Sequence, residues 1–268
     1  MPTLDAERSM MGRSCRRVAG LDEVGRGALA GPVSVGAVVV TQHLGPVPDG
    51  LKDSKLLSAA ARVALVGPIR AWAVECAVGH ATAAEIDRIG IMRALRLAAL
   101  RALAALSAPV DAVLLDGNVD YLSANYSVAQ AMVVDRSAGL FEAGGVDGVS
   151  GSGTVCPNDS DDAAGVFAAS GANGVILDSF HGSVVTRIKA DRDCASVAAA
   201  SVLAKVARDA LMVDLHGRYA HFGWAGNKGY GTAEHLAAIA RHGPCELHRR
   251  SWSLPARADG AAPTSPAG

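Results

Sequence analysis

The sequence predicts a single α/β domain in which a central mixed β-sheet is flanked by helices. Apolar, strand-like runs come first along the chain and then alternate with helical segments, an order typical of this class. After the last predicted strand only helical patterns follow, which adds a C-terminal helical segment. Half of the 268 residues are hydrophobic, so the chain can bury a large core without disulfides or a structural metal.

The first elements follow from short apolar runs and the residues that end them. Val18–Leu21 is an apolar run that stops at two acids, and Val33–Thr41 is rich in valine and indicates a buried strand. Ala59–Arg70 has a helical pattern, although it contains Pro68, a residue that disfavours a helix interior. Ala71–Ala81 is then predicted to be a strand.

The later elements alternate more regularly. Ile91–Leu106 repeats apolar residues with helical periodicity, and Val110–Leu115 is a strand that follows a proline. Val184–Ala190 is predicted to be a strand and Ala195–Leu215 a long helix. Thr232–Arg241 is a shorter helix, because a Gly-Pro pair stops it.

Three stretches fall outside this pattern. We expect a flexible N-terminus at residues 1–16, one main folded domain at residues 17–255 and a disordered tail at residues 256–268. The domain is interrupted at residues 123–183, because Ser123–Ser183 is rich in Gly, Ala, Ser and Asp and has no sustained period. That segment carries seven acids and one base, and we predict that it is a largely disordered loop insertion.

Composition excludes several classes of protein. The five cysteines are widely spaced and form no C-x-x-C pair, which argues against a disulfide framework or a cysteine-rich zinc site and suits a reducing compartment. The first 17 residues have no apolar signal region, and the longest uncharged run, Gly27–Pro48, is broken by four glycines and three prolines. We therefore expect a cytoplasmic protein that does not enter a membrane.

The charge is unevenly distributed. The net charge is −1, but outside Ser123–Ser183 the chain has 24 Lys and Arg against 19 Asp and Glu. Residues 187–250 hold ten bases, six acids and five histidines, which indicates either a solvated surface or a face for a polyanion. The histidines lack metal-ligand spacing, so we expect them at the surface.

Acids at the ends of apolar runs are the strongest sign of chemistry. Asp22 and Glu23, Asp116 and Asp191 each follow a predicted strand, and ligands of α/β sheets bind beside strand ends. Clustered carboxylates suit Mg²⁺ or Mn²⁺, and two such ions can clamp both oxygens of a phosphodiester displacement. Neighbouring strand residues point to opposite faces, so Asp22 and Glu23 share a site only if the strand ends or bends there, and Gly25 and Gly27 supply that backbone freedom. The alternative is an exposed turn.

Two weaker patterns remain. Gly25-Arg26-Gly27 is similar to a phosphate-binding loop but lacks the complete glycine-rich motifs of nucleotide-binding folds. Ser201 and Lys205 have the wrong spacing for an acyl-enzyme site, and they share one face of the long helix with Arg208.

Five blocks of sequence, in order, resemble the ribonuclease HII family and cover most of residues 17–252. They are Val18-Ala-Gly-Leu-Asp-Glu-Val-Gly-Arg-Gly-Ala-Leu-Ala-Gly-Pro32, Asp53-Ser-Lys-Leu-Leu-Ser58, Leu115-Asp-Gly-Asn118, Lys189-Ala-Asp191 with the helix from Ser196 to Asp209, and Asn227-Lys-Gly-Tyr-Gly-Thr232 with His248-Arg-Arg-Ser251. The insertion is the departure, since about 60 extra residues separate blocks that lie close together in this family.

The resemblance implies an RNase H-like fold and a monomeric endonuclease that hydrolyses the RNA strand of RNA–DNA hybrids with Mg²⁺ or Mn²⁺. It also implies cleavage at single ribonucleotides embedded in duplex DNA, as in ribonucleotide excision repair, leaving 3′-hydroxyl and 5′-phosphate ends. The resemblance also implies which acids are catalytic and bind metal. From their places in the matching blocks, these acids are Asp22, Glu23, Asp116 and Asp191. Gly25, Arg26, Gly27 and Tyr230 match the residues that recognise the ribonucleotide.

Basic residues beside these blocks suggest contacts with phosphate. We expect Lys189, Arg192, Lys228, Arg249 and Arg250 to bind the nucleic-acid backbone without sequence preference. Two alternatives are a hybrid-binding protein without cleavage activity and a phosphotransferase on a related fold. The first has no use for four carboxylates facing a polyanion, and the second requires a nucleotide-phosphate loop that the sequence lacks.

Overall fold

The computed structural model describes residues 1–123 and 180–256. Within these ranges one five-stranded sheet carries the fold. Its strands are β1 (Val18–Val24), β2 (Val33–Val40), β3 (Glu75–Ala81), β4 (Ala112–Asp116) and β5 (Ser183–Arg187). The strand order is β3-β2-β1-β4-β5, with β1 antiparallel to β2, β2 antiparallel to β3, and β1, β4 and β5 mutually parallel. The predicted mixed α/β sheet is confirmed.

Helices cover both faces of this sheet. They are α1 (Asp5–Met10), α2 (Ala59–Trp72), α3 (Ala83–Ile89), α4 (Ile91–Ala104), α5 (Ala190–Asp193), α6 (Ala195–Arg218), α7 (Trp224–Asn227) and α8 (Ala233–His242). Helix α4 packs on one face against Ala19 and Leu21, whereas α2 and α6 pack on the other face against Val18 and Val38. The alternation along β1 divides its side chains between two separate cores.

Glycines in the strands let α6 approach the sheet closely. A Cβ built on Gly36 would lie 2.3 Å from the carbonyl oxygen of Ala200, and one on Gly20 would lie 2.2 Å from the Ser196 hydroxyl. Since Gly36 pairs with Asp22 across β1 and β2, this close contact brings the middle of α6 against the acidic end of β1.

The C-terminal segment adds a third apolar cluster around Met212, Phe222 and Trp224. Two of the five histidines expected at the surface, His235 and His248, are instead buried beside this cluster. The expectation is wrong for these two because aromatic rings and hydrogen-bond partners enclose them.

Some boundaries differ from the predicted ones. Helix α2 continues through Pro68 to Trp72, because Ile69 and Trp72 keep packing on the core, so β3 begins only at Glu75. Strand β5 ends at Arg187, because Lys189 adopts a left-handed conformation (φ 63°) before α5 begins. The short helices α1, α3, α5 and α7 were not predicted, although Thr82 and Glu85 form a capping box at the start of α3.

Residues 1–16, expected to be flexible, instead include helix α1, which is attached to the start of α6. The Thr3 N–H donates to the Asp193 carbonyl at 2.9 Å, and the Thr3 carbonyl accepts from the Ala195 N–H at 2.8 Å. The fully buried Glu7 carboxylate accepts from both the backbone N–H and the hydroxyl of Ser196, at 2.8 and 2.6 Å. A carboxylate at this position accepts a hydrogen bond from a free N–H of the first helical turn. Its negative charge also interacts favourably with the positive end of the helix dipole.

Replacement of this carboxylate is expected to destabilise the protein. Glu7→Ala leaves the Ser196 N–H buried without an acceptor, which costs about 1–3 kcal/mol. For a chain of this size we expect the melting temperature to fall by about 2–4 °C for each kcal/mol. Thermal unfolding followed by circular dichroism measures the change.

Glu7→Gln is the matched control, because its amide oxygen can still accept from Ser196. It should lose less stability than Glu7→Ala. Equal melting temperatures for Glu7→Ala and the unmodified chain would contradict a capping role for Glu7.

The predicted insertion at residues 123–183 and the predicted tail at residues 256–268 fall almost entirely outside the described residues. Leu122, just before the predicted insertion, and Phe180, near its end, both pack in the core between α4 and the sheet. Across the two described ranges no helix is long and apolar enough to cross a membrane.

Candidate active site

An open cleft of about 280 Å³ lies where β1 ends, beside the carboxyl end of β4 and one face of α6. Its lining combines acids, bases, hydroxyl groups and a glycine-containing loop. The lining residues are Asp22, Glu23, Val24, Gly25, Arg26, Gly27, Ser54, Lys55, Asp116, Ser201, Lys205 and Tyr230. Seven of the eight predicted site residues therefore meet in one cleft.

Strand pairing brings the first three acids together. Strands β1 and β4 are parallel with Leu21 opposite Leu115, so the next step along each strand puts Asp22 beside Asp116. Strand β1 ends at Val24, and Gly25 then takes a positive φ of 82°. The pairing of β1 with β4 stops at Leu21, whereas its pairing with β2 continues through Val24. Both Asp22 and Glu23 line the cleft although they start from opposite faces of the sheet.

Asp191, the fourth predicted acid, lies in α5 and does not line the cleft itself. Its backbone N–H points at the Asp116 carboxylate, 3.4 Å away, and its own side chain is buried. The Lys55 ammonium lies 3.0 Å from Asp191 Oδ2. Asp191 thus adjoins the cluster but is paired with a lysine.

Two hydroxyl groups orient Asp22. The Ser201 hydroxyl of α6 is hydrogen bonded to the Asp22 carboxylate, and Ser54 Oγ lies 2.7 Å from Ser201 Oγ. The Glu23 N–H donates to Asp22 Oδ1 at 2.8 Å. Ser201 and the Glu23 N–H therefore contact Asp22 directly, whereas Ser54 acts on it only through Ser201.

Burial and mutual repulsion raise the pKa values of these acids. Burial, together with the charges of Glu23 and Asp116, raises the pKa of Asp22 to about 8 despite the Ser201 hydrogen bond. Burial and the Asp116 charge also raise the pKa of Glu23, although Arg26 opposes this change. Burial and the Asp191 charge raise the pKa of Asp116. A cluster that resists full ionisation by itself is stabilised by a cation.

The residues present fit a hard divalent metal. The donors are carboxylate oxygens, which Mg²⁺ and Mn²⁺ prefer. Glu23 Oε2 is buried and has no hydrogen-bond partner, so it is available as a ligand. In the described ranges no group of three or more His, Cys, Asp or Glu side chains is arranged so that it could hold a metal ion, so the fit rests on the type of donor atom, and Lys55 supplies positive charge at Asp191.

The buried side chain of Arg249 holds the Gly25–Gly27 loop on the side that faces the protein interior. This guanidinium is fully buried and donates to the carbonyls of Gly25 (2.7 Å), Arg26 (2.8 Å) and Gly31 (3.1 Å). The predicted phosphate contact by Arg249 is therefore wrong, because every one of its bonded donors points into the protein. In a trans peptide the N–H is opposite the C=O, so the N–H groups of Arg26 and Gly27 face away from Arg249. Neither N–H has an acceptor within the described part of the chain.

Tyr230 lies on the other side of the loop, next to a second buried arginine. The Arg208 guanidinium donates to the carbonyls of Ala30, Pro32 and Lys228 and lies 5.4 Å from the centre of the Tyr230 ring. A Cβ on Gly25 would lie 2.0 Å from Arg208 Nε, which explains why the loop has glycine there. Arg208 thus connects Ala30 and Pro32, just after the Gly25–Gly27 loop, with the segment that carries Tyr230.

The other predicted phosphate contacts differ in exposure. Lys189, Arg192 and Arg250 are exposed, whereas Lys228 is half-buried and its ammonium donates to the Ala225 carbonyl. Besides Val24, four polar cleft residues were not assigned to the site from the sequence: Ser54, Lys55, Ser201 and Lys205. Their signals were the Asp-Ser-Lys block and the shared helix face of Ser201, Lys205 and Arg208.

Comparison with known sequences gives a consistent result. The ribonuclease HII family model matches residues 19–141 and 168–254, so residues 142–167, inside the predicted insertion, are unmatched. Ribonuclease HII of Streptomyces avermitilis is 39% identical over 253 residues, covering 94% of this chain and 84% of that protein. Ribonuclease HII of Paracidovorax citrulli is 39% identical over 236 residues, covering 88% and 74%.

Solved structures share the fold at lower identity. The crystal structure of ribonuclease H2 from Pyrococcus horikoshii has a TM-score of 0.54 and 22% identity, covering 88% of this chain and 93% of that one. The structure of Bst-RNase HIII in complex with Mn²⁺ has a TM-score of 0.52 and 20% identity, covering 87% and 63%. Together with the acidic cleft at the end of β1, the family match over most of its length shows that the chain belongs to the ribonuclease HII family.

Proposed function

We propose that the cleft is the catalytic centre of an endoribonuclease that cuts at single ribonucleotides embedded in duplex DNA and leaves 3′-hydroxyl and 5′-phosphate ends. As a member of its family, the chain is a metal-dependent ribonuclease H that acts on RNA in RNA–DNA hybrids. One observation carries the finer proposal. A cluster of carboxylates, of which Asp22 is buried and Glu23 and Asp116 are half-buried, shares its cleft with the Gly25–Gly27 loop and Tyr230.

In this proposal Asp22, Glu23, Asp116 and Asp191 hold two Mg²⁺ or Mn²⁺ ions. When bound, such ions stabilise negative charge on the phosphate oxygens and lower the pKa of a bound water. The chain contributes ligand orientation, since Ser201 and the Glu23 N–H fix the Asp22 carboxylate. The bare Glu23 Oε2 supports its assignment as a ligand.

In this proposal the Gly25–Gly27 loop and the Tyr230 ring recognise the ribonucleotide. The free N–H groups of Arg26 and Gly27 are suited to hydrogen bonding with a sugar or phosphate oxygen, and the half-buried Tyr230 can place its ring against the sugar. The 2′-hydroxyl distinguishes RNA from DNA at such a site. The Arg26 side chain is exposed, 3.7 Å from Glu23, and can approach the backbone phosphate.

The acidic cluster disfavours the alternative of a binding protein without cleavage. Carboxylates that face a nucleic-acid backbone oppose binding unless metal neutralises them. Lys189, Arg192 and Arg250 are exposed and remain our candidates for phosphate contacts, and we add Lys55 and Lys205 because they line the cleft. We place the enzyme in the cytoplasm, in ribonucleotide excision repair, because the four described cysteines are free thiols and embedded ribonucleotides are its substrate.

Tyr230→Ala tests the recognition role. Loss of the ring removes sugar positioning, and a misplacement of ~1 Å can cost ~100-fold in rate, so we expect about that loss at a single embedded ribonucleotide. The measurement is steady-state cleavage of a duplex with one ribonucleotide, with end mapping. Mn²⁺ affinity, measured by calorimetry, should barely change.

Tyr230→Phe is the control, because it keeps the ring and removes only the hydroxyl. It should retain more activity than Tyr230→Ala. A Tyr230→Ala protein that loses Mn²⁺ affinity as strongly as it loses cleavage would show that Tyr230 serves the metal site instead.

A further inference from the structure

A buried chain of hydrogen bonds lies behind Tyr230. His235 Nδ1 is 2.9 Å from the Tyr230 carbonyl, and His235 Nε2 is 3.1 Å from both Trp224 Nε1 and His248 Nε2. His248 Nδ1 is 3.1 Å from the Cys245 backbone nitrogen. Both imidazoles are almost completely excluded from solvent.

The fixed donors and acceptors at the ends of this chain determine both tautomers. The Tyr230 carbonyl can only accept, so His235 Nδ1 carries hydrogen, and the Trp224 N–H can only donate, so His235 Nε2 is bare. The Cys245 N–H can only donate, so His248 Nδ1 is bare and its Nε2 carries the hydrogen that meets His235 Nε2. One arrangement of two neutral rings satisfies every contact.

An added proton on either ring would break the arrangement. Protonated His235 would direct an N–H at two donors, and protonated His248 would direct one at the Cys245 N–H. Burial lowers the pKa of both rings, that of His248 to about 4 with added repulsion from His235. The cluster is not a metal site, because the Trp224 N–H occupies the His235 nitrogen and Cys245 lies on the far side of His248.

The same series of hydrogen bonds joins the two parts of the proposed recognition site, the Gly25–Gly27 loop and Tyr230. His248 pairs as a β-bridge with Ala30, and the Gly31 N–H donates to the Leu247 carbonyl at 2.9 Å, so His248 is attached just beyond the Gly25–Gly27 loop. His235 lies in the first turns of α8 and holds the residue on the other side, Tyr230. The contact between the two rings is therefore a second link between Tyr230 and the loop, in addition to the Leu29 and Ala30 N–H groups that donate to the Gly229 carbonyl at 2.8 and 3.2 Å.

We propose that His235 and His248 are positioning residues for ribonucleotide recognition, which act by fixing the backbone of Tyr230 relative to the Gly25–Gly27 loop. This inference rests on the proposed role of Tyr230. Neither ring lines the cleft, so both act through Tyr230 without touching the substrate.

The test uses paired amide substitutions at His235. In His235→Asn the side-chain amide occupies the position of Nδ1 and can still donate to Tyr230, whereas in His235→Gln it reaches the position of Nε2 and leaves the Tyr230 carbonyl without that donor. We expect kcat at a single embedded ribonucleotide to fall at least tenfold in His235→Gln and to be largely restored in His235→Asn. Mn²⁺ affinity should stay within twofold in both. His242→Gln, which removes an exposed histidine from the same helix, is the matched control and should be unchanged.

A double-substitution cycle with Tyr230→Ala separates positioning from general stability. If His235 acts through Tyr230, then His235→Gln should lower kcat little further once the ring is absent. Additive losses, or equal kcat for the Gln and Asn variants, would overturn the inference. If Tyr230→Ala alone leaves cleavage intact, the proposed function fails, and that result is read before any histidine variant is interpreted.

Discussion

Asp116→Asn should abolish cleavage of RNA–DNA hybrids and of duplexes with one embedded ribonucleotide, while binding of the hybrid persists. The change keeps the volume of the side chain and removes the charge of a proposed metal ligand beside Asp22. Loss of a metal ligand removes several kcal/mol of transition-state stabilisation, on the order of 1,000-fold in rate. The measurements are single-turnover cleavage with Mn²⁺ and hybrid binding by fluorescence anisotropy without metal.

Binding without metal should be equal or tighter in Asp116→Asn, because one negative charge facing the phosphate backbone is gone. Asp193→Asn is the matched control. Asp193 lies two residues from Asp191 but is exposed and paired with Arg187 at 3.3 Å, so its replacement should preserve cleavage. Undiminished turnover in Asp116→Asn would refute the proposed metal site.

Gly36→Ala should destabilise the whole domain and also reduce activity. The added Cβ would lie 2.3 Å from the Ala200 carbonyl, a backbone atom that can move only if α6 moves. Overpacking of this kind costs about 1–3 kcal/mol. Because Ser201 follows Ala200 and holds Asp22, we also expect slower cleavage per folded molecule. Thermal unfolding and active-site-normalised kcat give the two values.

Gly217→Ala is the control with the opposite expected sign. It lies in the last turn of the same helix, α6, is exposed, and has no atom within 4 Å of a built Cβ. Alanine in a helix is favoured over glycine by up to about 1 kcal/mol, so this variant should melt at the same or a higher temperature. If Gly36→Ala also melts at the same or a higher temperature, the close approach of α6 to β2 does not limit stability.

Sequence patterns were sufficient for the sheet and for the position of the acids. Strands with apolar runs and helices with clear periodicity were predicted within a few residues, since burial on a sheet or helix face leaves a period in the sequence. The acids at the ends of these runs meet because β1 and β4 are parallel. The parallel pairing itself is long-range and leaves no local signal.

What the sequence could not predict depends on contacts between distant segments. Arg249 has the same local pattern as the exposed Arg250, yet its guanidinium is buried under the Gly25–Gly27 loop. Glu7 lies in an unremarkable polar stretch, and only its tertiary contact with Ser196 makes it a helix cap. Residue type and spacing do not specify such partners, because each needs a second segment far along the chain.

The hydrogen-bonded register of β1 and β4 has an evolutionary consequence. Neighbouring strands lie ≈ 4.8 Å apart whatever side chains they carry, and this spacing is close to the ~4 Å between paired metal ions. The separation of Asp22 from Asp116 is therefore inherited from the backbone, and it does not depend on which aliphatic residues fill the two cores. This spacing does not require a particular interior, and the fold itself is shared by solved structures at 20–22% identity. Core residues can then be substituted during evolution without moving Asp22 relative to Asp116, provided that β1 and β4 keep their register.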